Sequence, residues 1–308
     1  VYSSVKSDVL LYSIPLGAFI SGVVALYQYY ILNLESAFYY QMKIQSGDMA
    51  MSLGLFSFSI AFYFLDIKKS KLALLSVGCG ILGVFASILS FARGGWISAP
   101  FIVITLLFLY RYLLSRKVLI GLLVILCFGG ALLMMNNQFT ERISDTTYQL
   151  DVYLSGYDKI SSVGERLDMW KIGLNSFLEH PISGWSLMDL EDYKKDLADK
   201  DVVTKASISF LHLHNQFIDE LAKKGILGGI AILSIFIVPL YLFYRKVVGQ
   251  ENKRIKLISI LGIVHVLSII IYCMSQSFLA HNSGNIFYFF VLFLFYAFMV
   301  NESATTSE

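Results

Sequence analysis

A cluster of two imidazoles and one amide, His212, His214 and Asn215, closes a polar stretch of the chain just before an apolar run. An imidazole titrates near neutral pH and can take a proton from a sugar hydroxyl, so the cluster predicts a general base. The spacing leaves either histidine eligible for that role, with the other ring and Asn215 as substrate contacts. The competing interpretation of His214 is a buried structural residue on the apolar face of a helix.

Two arginines, Arg93 and Arg166, are the cations that could act beside such a base. A guanidinium group is always charged and its forked donors match phosphate oxygens, so the pair predicts a site for an anionic, lipid-linked substrate. Each arginine also has a plainer interpretation. Arg93 ends an apolar run and could reach the lipid headgroups, whereas Arg166 could pair with Glu165 or Asp168.

Lys43 is a third candidate cation for substrate binding, and its competing interpretation is a solvated loop lysine. His212 and His214 would point apart on a helix, so their spacing is a poor pattern for metal ligands. The three cysteines show no CxxC or Cys/His spacing, and the chain has no P-loop and no GxSxG element. We therefore expect a site without metal and without a cofactor.

The composition is that of a membrane protein, with 56% hydrophobic and 15% charged residues, against about 25% charged in soluble globular proteins. Repeated apolar runs of sufficient length predict transmembrane helices. The predicted fold class is therefore all-α and polytopic, with a large helical loop on one side of the membrane. The eight candidate spans cover residues 9–31, 49–66, 72–91, 96–114, 118–135, 225–244, 255–273 and 284–300.

These spans divide the chain into three parts. Five spans lie in residues 1–135, a polar helical loop covers 136–224, and three spans with a tail cover 225–308. The loop holds 15 acidic and 10 basic residues, a net charge of −5, whereas the rest holds 7 and 14, a net charge of +7.

The basic residues of the short connectors predict the orientation in the membrane. They cluster after the second, fourth and sixth spans, so we expect those three connectors to be cytoplasmic. The opposite side then receives Lys43, Arg93, Arg166, His212 and His214. All the candidate side chains with a positive or titratable group are thus predicted to face one compartment.

Two helices are predicted inside the loop. The segment Ser162-Val163-Gly164-Glu165 matches a capping box and predicts a helix that ends near Pro181. A second helix is predicted over residues 207–223, with His214 on its apolar face. The highly charged stretch 189–205 is predicted to be a mobile flap or a solvated helix.

Three segments carry a resemblance to the O-antigen ligase family, within the O-antigen ligase/polymerase superfamily. One is Ser90-Phe91-Ala92-Arg93 at the end of a span. The second runs from Ser162 to Leu174 and contains Arg166, and the third is His212-Leu213-His214-Asn215, followed by Gly225-Ile226-Leu227-Gly228. The order of these segments, and the long loop that holds the last two, also match the family.

The resemblance implies a GT-C-like transferase of the bacterial inner membrane with about a dozen helices, of which this chain would be a fragment. Such enzymes take a polysaccharide from undecaprenyl diphosphate at the periplasmic face and attach it to a terminal sugar of lipid A–core. Arg93 and Arg166 match the arginines that hold the diphosphate, and His214 matches the catalytic histidine. Lys43 lies where relatives often have arginine. The implied partners are these two lipid-linked sugars and membrane lipids, with no nucleic acid.

Three other functions stay open. An O-antigen polymerase would use the same donor with another acceptor, and a protein O-oligosaccharyltransferase would modify a protein. A transporter or flippase would have charges buried within its spans and paired, interrupted halves. The chain has few charges inside its spans and no internal repeat.

Overall fold

The structure, a computed structural model, describes residues 7–116, 120–121, 124, 134–135, 137–156 and 161–305. These residues form helices joined by turns and loops, and none of them lies in a strand. The predicted all-α fold class is confirmed. The helices are α1 Asp8–Leu26, α2 Lys43–Asp66, α3 Ser70–Leu89, α4 Arg93–Leu109, α5 Asn137–Ser155, α6 Ser162–Glu179, α7 Leu187–Asp199, α8 Gln216–Val247, α9 Lys253–Ser275 and α10 Asn282–Thr305.

Six of these helices are long and apolar enough to cross a membrane: α1 with the π-helical turn Tyr27–Ile31 that follows it, α2, α3, α8, α9 and α10. A transmembrane helix needs about 20 residues at 1.5 Å each, and α4 is a shorter apolar helix of 17 residues. The predicted span 118–135 lies almost wholly outside the described residues. The protein is therefore a multi-pass membrane protein, as its composition predicted.

The structure corrects two boundaries that concern candidate residues. The second span begins at Lys43 and not at residue 49, so Lys43 is the first residue of a helix and not a loop lysine. Residues Arg93, Gly94 and Gly95 form the first turn of α4 and not a loop between helices. The chain reverses just before them, where Phe91 adopts a left-handed backbone conformation with φ 57°.

The predicted second loop helix over residues 207–223 is wrong in its first half. Residues 207–209 form a short 3-10 turn, residues 210–215 are irregular, and the helix begins at Gln216. Two local preferences override the helical pattern. His214 has φ 50°, and the side chain of Asn215 bonds to the backbone of the helix that follows, as a capping residue does.

The chain divides into two compact units. The membrane unit comprises residues 1–113 and 233–308, and the loop unit comprises residues 114–232. In the membrane unit, α2 is the central helix and packs against α1, α3, α4, α9 and α10. Glycines at its contact with α3 let the backbones of the two helices come close together. A Cβ added at Gly54 would lie 2.8 Å from the carbonyl oxygen of Gly80, which only small residues permit.

The loop unit has an apolar core of its own. It is formed by buried side chains of α6, α7, the loop that precedes α8, and α8 itself: Met169, Ile172, Leu197, Ala198, Val203, Leu213 and Ala222. The stretch 189–205, predicted as a flap or a solvated helix, contributes Leu197, Ala198 and Val203 to this core. Helix α7 is therefore a packed element, capped by the Ser186 side chain, which accepts a hydrogen bond from the Asp189 N–H at 3.3 Å.

Helix α8 is interrupted at Gly225, whose φ is 59°. An unbroken helix would bond the Ile226 N–H to the carbonyl of Ala222. Here the Ile226 N–H donates to the Pro181 carbonyl at 2.8 Å, and the Ala222 carbonyl accepts from the Trp185 N–H at 3.0 Å. The turn between α6 and α7 thus supplies the partners of the Ile226 N–H and the Ala222 carbonyl, in place of the hydrogen bond that the two groups would form with each other in an unbroken helix.

Candidate functional site

The loop before α8 presents its two histidines by burying the residue between them. Leu213 is buried in the core of the loop unit, whereas His212 and His214 are half-buried. A side chain anchored in a close-packed core fixes the backbone on both sides of it. The rings of His214 and Phe210 pack nearly perpendicular to each other, with centroids 5.3 Å apart. This histidine therefore lies beside the core and not within it.

Asp219, in the first turn of α8, ties this loop to the helix. Its carboxylate is buried and accepts the Leu213 N–H at 3.1 Å and the Lys223 ammonium at 2.8 Å. The ammonium also donates to the Leu211 carbonyl at 3.2 Å and lies 3.5 Å from Nδ1 of His212. His212 is thus part of an Asp–Lys network, and this network holds the backbone next to His214.

Asn215 caps α8. Its side-chain oxygen accepts hydrogen bonds from the N–H groups of Phe217 at 3.1 Å and Ile218 at 3.2 Å. Its backbone carbonyl accepts the Asp219 N–H at 2.9 Å. The Asn215 side chain is buried to 8% exposure. A helix start defined in this way determines where His214 lies relative to the helix.

Arg166 is half-buried on α6 and shares a face of that helix with Gly173, seven residues further on. A Cβ added at Gly173 would lie 2.6 Å from Leu213 and 2.3 Å from Ile218, so the histidine loop packs directly on this face. Seven residues of helix span about 10 Å. Arg166 therefore lies two turns along the face that receives the loop of His214.

The N-terminal part of α6 is held by Asp168, whose carboxylate is fully buried. It accepts the hydroxyl of Tyr153 at 2.9 Å and the N–H of Thr204 at 2.8 Å. Burial, and then the hydrogen bond to Asp168, raise the pKa of Tyr153 to about 12. An ion pair between Arg166 and Asp168, one of the two pairings considered from the sequence, would have to share the carboxylate with these two hydrogen bonds. Helix α6 also begins one residue earlier than the capping box predicted. Its N-cap is Ser161, whose hydroxyl oxygen accepts a hydrogen bond from the Gly164 N–H at 3.1 Å.

In the membrane unit, Lys43 is exposed at the start of α2. It follows Met42 at the edge of an open groove of about 660 Å³. The amide of Gln45 on the groove wall donates to the Phe278 carbonyl at 3.2 Å and accepts the hydroxyl of Ser283. The groove is lined by Gln41, Met42, Gln45, Ser46, Met49, Ala280, His281, Asn282 and Ser283.

Arg93 is half-buried at the first position of α4, where the helix dipole favours an anion. The two glycines after it lie directly against neighbouring helices. A Cβ at Gly94 would lie 2.3 Å from the Ser275 hydroxyl, and one at Gly95 would lie 3.0 Å from Asp48. The first turn of α4 is therefore clamped between α2 and the end of α9.

Asp48 is a buried carboxylate that the sequence reasoning missed. It lies in α2 with no exposure, and its Oδ2 accepts the Gln276 amide at 2.7 Å. Its Oδ1 lies beside Gly95 and has no hydrogen-bond partner among the described residues. The sequence feature that could have identified Asp48 is an acidic residue near the start of an apolar run, where a charge is costly. For Asp219 the corresponding feature is its i, i+4 spacing to Lys223, which predicts an ion pair on a helix.

The structure thus groups the candidate residues within each unit. Arg166, His212, His214 and Asn215 belong to the loop unit, where the histidine loop packs on α6 two turns along that helix from Arg166. Arg93 and Lys43 belong to the membrane unit, at the first positions of α4 and α2.

Comparison with known proteins agrees with these motifs. The sequence profile of the family described as O-antigen ligase matches residues 78–233, which is 156 of the 308 residues. The chain belongs to the O-antigen ligase family. This family indicates an enzyme of the glycosyl-transfer type, with polysaccharide and lipid substrates in general. The matched region contains Arg93, Arg166 and the histidine loop, and Lys43 lies outside it.

Two relatives extend the comparison. A protein of Haemophilus influenzae described as uncharacterized is 37% identical over 293 residues, which cover 94% of this chain and 73% of that protein. The O-antigen ligase of Escherichia coli K12 is 25% identical over 182 residues, which cover 58% of this chain and 43% of the ligase. The chain therefore matches less than half the length of that O-antigen ligase.

Proposed function

We propose that the protein is an O-antigen ligase with a GT-C-like architecture, in the bacterial inner membrane with its site facing the periplasm. It transfers O-antigen polysaccharide from undecaprenyl diphosphate to a terminal sugar hydroxyl of lipid A–core. The observation that carries the proposal is the anchored histidine loop, inside the region that matches the O-antigen ligase family. A base must be held in a defined position to act on a hydroxyl, and Leu213, Asp219 and Asn215 supply that support.

The reaction is a direct displacement at the anomeric carbon. His214 takes the proton of the acceptor hydroxyl while the hydroxyl oxygen attacks that carbon. The bond from the carbon to the diphosphate oxygen breaks, and undecaprenyl diphosphate leaves with the electron pair. One displacement inverts the configuration, and the proton remains on the imidazole until solvent removes it. Because diphosphate is a good leaving group, the mechanism needs neither a general acid nor a metal ion.

Arg166 and Arg93 stabilise the negative charge that grows on the departing diphosphate, and Lys43 adds a further positive charge. The position of Arg166 on the α6 face that receives the histidine loop supports this role. The position of Arg93 at the start of α4 supports it too, since the helix dipole favours negative charge at an N-terminus. Positive groups aimed at a developing charge are worth more in a site that excludes water.

The test is His214→Asn in purified full-length protein, with lipid-linked donor and lipid A–core in detergent with EDTA. Asparagine tolerates positive φ, so the loop keeps its conformation while the base is lost. We expect transfer to fall by about 10²-fold or more, the usual effect of removing a general base. The matched control is His180→Asn, an exposed histidine of the same unit that packs on Trp185, and it should retain wild-type activity.

Three results would contradict parts of this proposal. Wild-type transfer by His214→Asn would remove the base assignment. Loss of wild-type activity in EDTA would remove the metal-independent mechanism. Growth of the polysaccharide on the lipid-linked donor, without attachment to lipid A–core, would identify a polymerase in place of a ligase.

A further inference from the structure

The turn between α6 and α7, and the helix ends beside it, carry large apolar side chains that are exposed in the part of the chain that the structure describes. Leu178 is 73% exposed, Ile182 72% and Met188 79%, and Leu187 is exposed too. The side chains that the core of the loop unit uses lie elsewhere on α6 and α7. Large apolar groups clustered at the surface of a folded unit usually mark a contact with a partner or with lipid.

The hydrogen bonds of this turn fix its position along α8. The Pro181 carbonyl accepts the Ile226 N–H at 2.8 Å. A Cβ added at Gly225 would lie 2.3 Å from the Ile182 carbonyl oxygen, and one added at Gly184 would lie 2.4 Å from the Lys223 carbonyl carbon. The turn is therefore level with residues 223–226 of α8, and all of these residues belong to one unit.

The same level of α8 is where the helix changes from a polar to an apolar surface. Lys224, just before the break, is exposed and pairs with Glu220 at 2.6 Å. From the break onward the exposed residues are Ile226, Leu227 and Ile230, which lie in a helix long and apolar enough to span a membrane. Lysine at such a boundary keeps its ammonium among the headgroups while apolar neighbours enter the hydrocarbon.

We infer that the α6–α7 turn is a membrane-surface anchor, with Ile182 at its tip inserted among the acyl chains next to Ile226. The occupant of this apolar surface is the lipid bilayer, because the surface continues directly into the lipid-facing side of α8. The contact attaches the loop unit to the membrane in addition to α8. It fixes the C-terminal end of α6, and with it the level at which the histidine loop packs on that helix.

The inference is tested by photocrosslinking in the full-length protein, reconstituted in nanodiscs of phosphatidylethanolamine and phosphatidylglycerol. The photoreactive residue benzoylphenylalanine replaces Ile182 in one sample. It replaces Lys195 in the matched control, since Lys195 is also exposed and lies on α7 beyond the turn. After irradiation, mass spectrometry of the peptides measures the phospholipid adducts at each position.

We expect at least ten-fold more phospholipid adduct at position 182 than at position 195, with unchanged thermal unfolding in both samples. Equal adduct yields would overturn the inference, and so would adducts at position 182 that join two protein chains. Neither result depends on transfer activity. Failure of the anchor is therefore distinguishable from failure of the proposed reaction.

Discussion

His212, Leu213 and His214 show how far single residues can be interpreted without a structure. Their side-chain types predicted a candidate base, and the structure places both rings beside the core of the loop unit. The sequence pattern wrongly placed His214 on a helical face, because the apolar spacing of 210–221 outweighed the capping preference of Asn215. The partners Asp219 and Lys223 could be paired from their spacing, but the bonds that Asp219 accepts from the Leu213 N–H and that Lys223 donates to the Leu211 carbonyl depend on the folded loop.

Asp219→Ala is expected to destabilise the loop unit. The substitution leaves the Leu213 N–H and the Lys223 ammonium without their buried acceptor, which should cost about 2–4 kcal/mol of unfolding free energy. Thermal unfolding in detergent measures the loss. The matched control is Asp192→Ala, which removes an exposed pair with Lys195 and should cost less than about 1 kcal/mol. Equal losses would show that the Asp219 network does not support the loop.

Tyr153→Phe tests the buried carboxylate of Asp168 and its pH dependence. Loss of the hydroxyl that donates to Asp168 at 2.9 Å should cost about 1.5 kcal/mol near neutral pH. The pKa of this tyrosine is raised to about 12 from 10.0. Its stabilising effect is therefore complete below pH 10 and is lost as the pH rises toward 12. Unfolding temperatures of both proteins across this range should converge, and a constant difference would refute the assignment.

At the scale of elements, long apolar spans were predictable because hydropathy adds up over some twenty residues, whereas breaks and turns were not. The predicted span at 225–244 lies in the C-terminal part of α8, and that helix begins nine residues before the predicted span, at Gln216. The break at Gly225 is produced by the α6–α7 turn, far away in sequence, so local pattern could not reveal it. Helix α5 was also missed, although its apolar residues recur at helical spacing, because the segment is too polar on average to stand out by hydropathy.

Gly225→Ala is expected to cost about 3 kcal/mol or more of unfolding free energy, because the added Cβ would meet the Ile182 backbone at positive φ. Gly156→Ala is the matched control. Gly156 also has positive φ, of 77°, but no atom of the described residues lies within 4 Å of its added Cβ. It should show the conformational cost alone, about 1 kcal/mol. Similar losses of thermal stability for the two variants would exclude tight packing at the break.

At the scale of the whole molecule, the alternating basic connectors predict that the loop unit is periplasmic. Single cysteines at exposed Lys195 and exposed Lys69 test this orientation. A membrane-impermeant maleimide added to spheroplasts should label Lys195→Cys, and it should label Lys69→Cys only after the membrane is opened. The native Cys79 and Cys273 lie in membrane helices, and Cys127 falls in the predicted span 118–135. The reverse pattern of labelling would place the candidate site in the cytoplasm.

The exchange of hydrogen bonds at Gly225 has a kinetic consequence. The amide protons of Trp185 and Ile226 are distant in the sequence, yet each is protected by a carbonyl of the other's segment. Neither bond can open widely while the other holds the two segments together. In deuterium these two amides should therefore exchange at one shared rate, slower than that of the neighbouring turn, as a single cooperative opening unit of the protein.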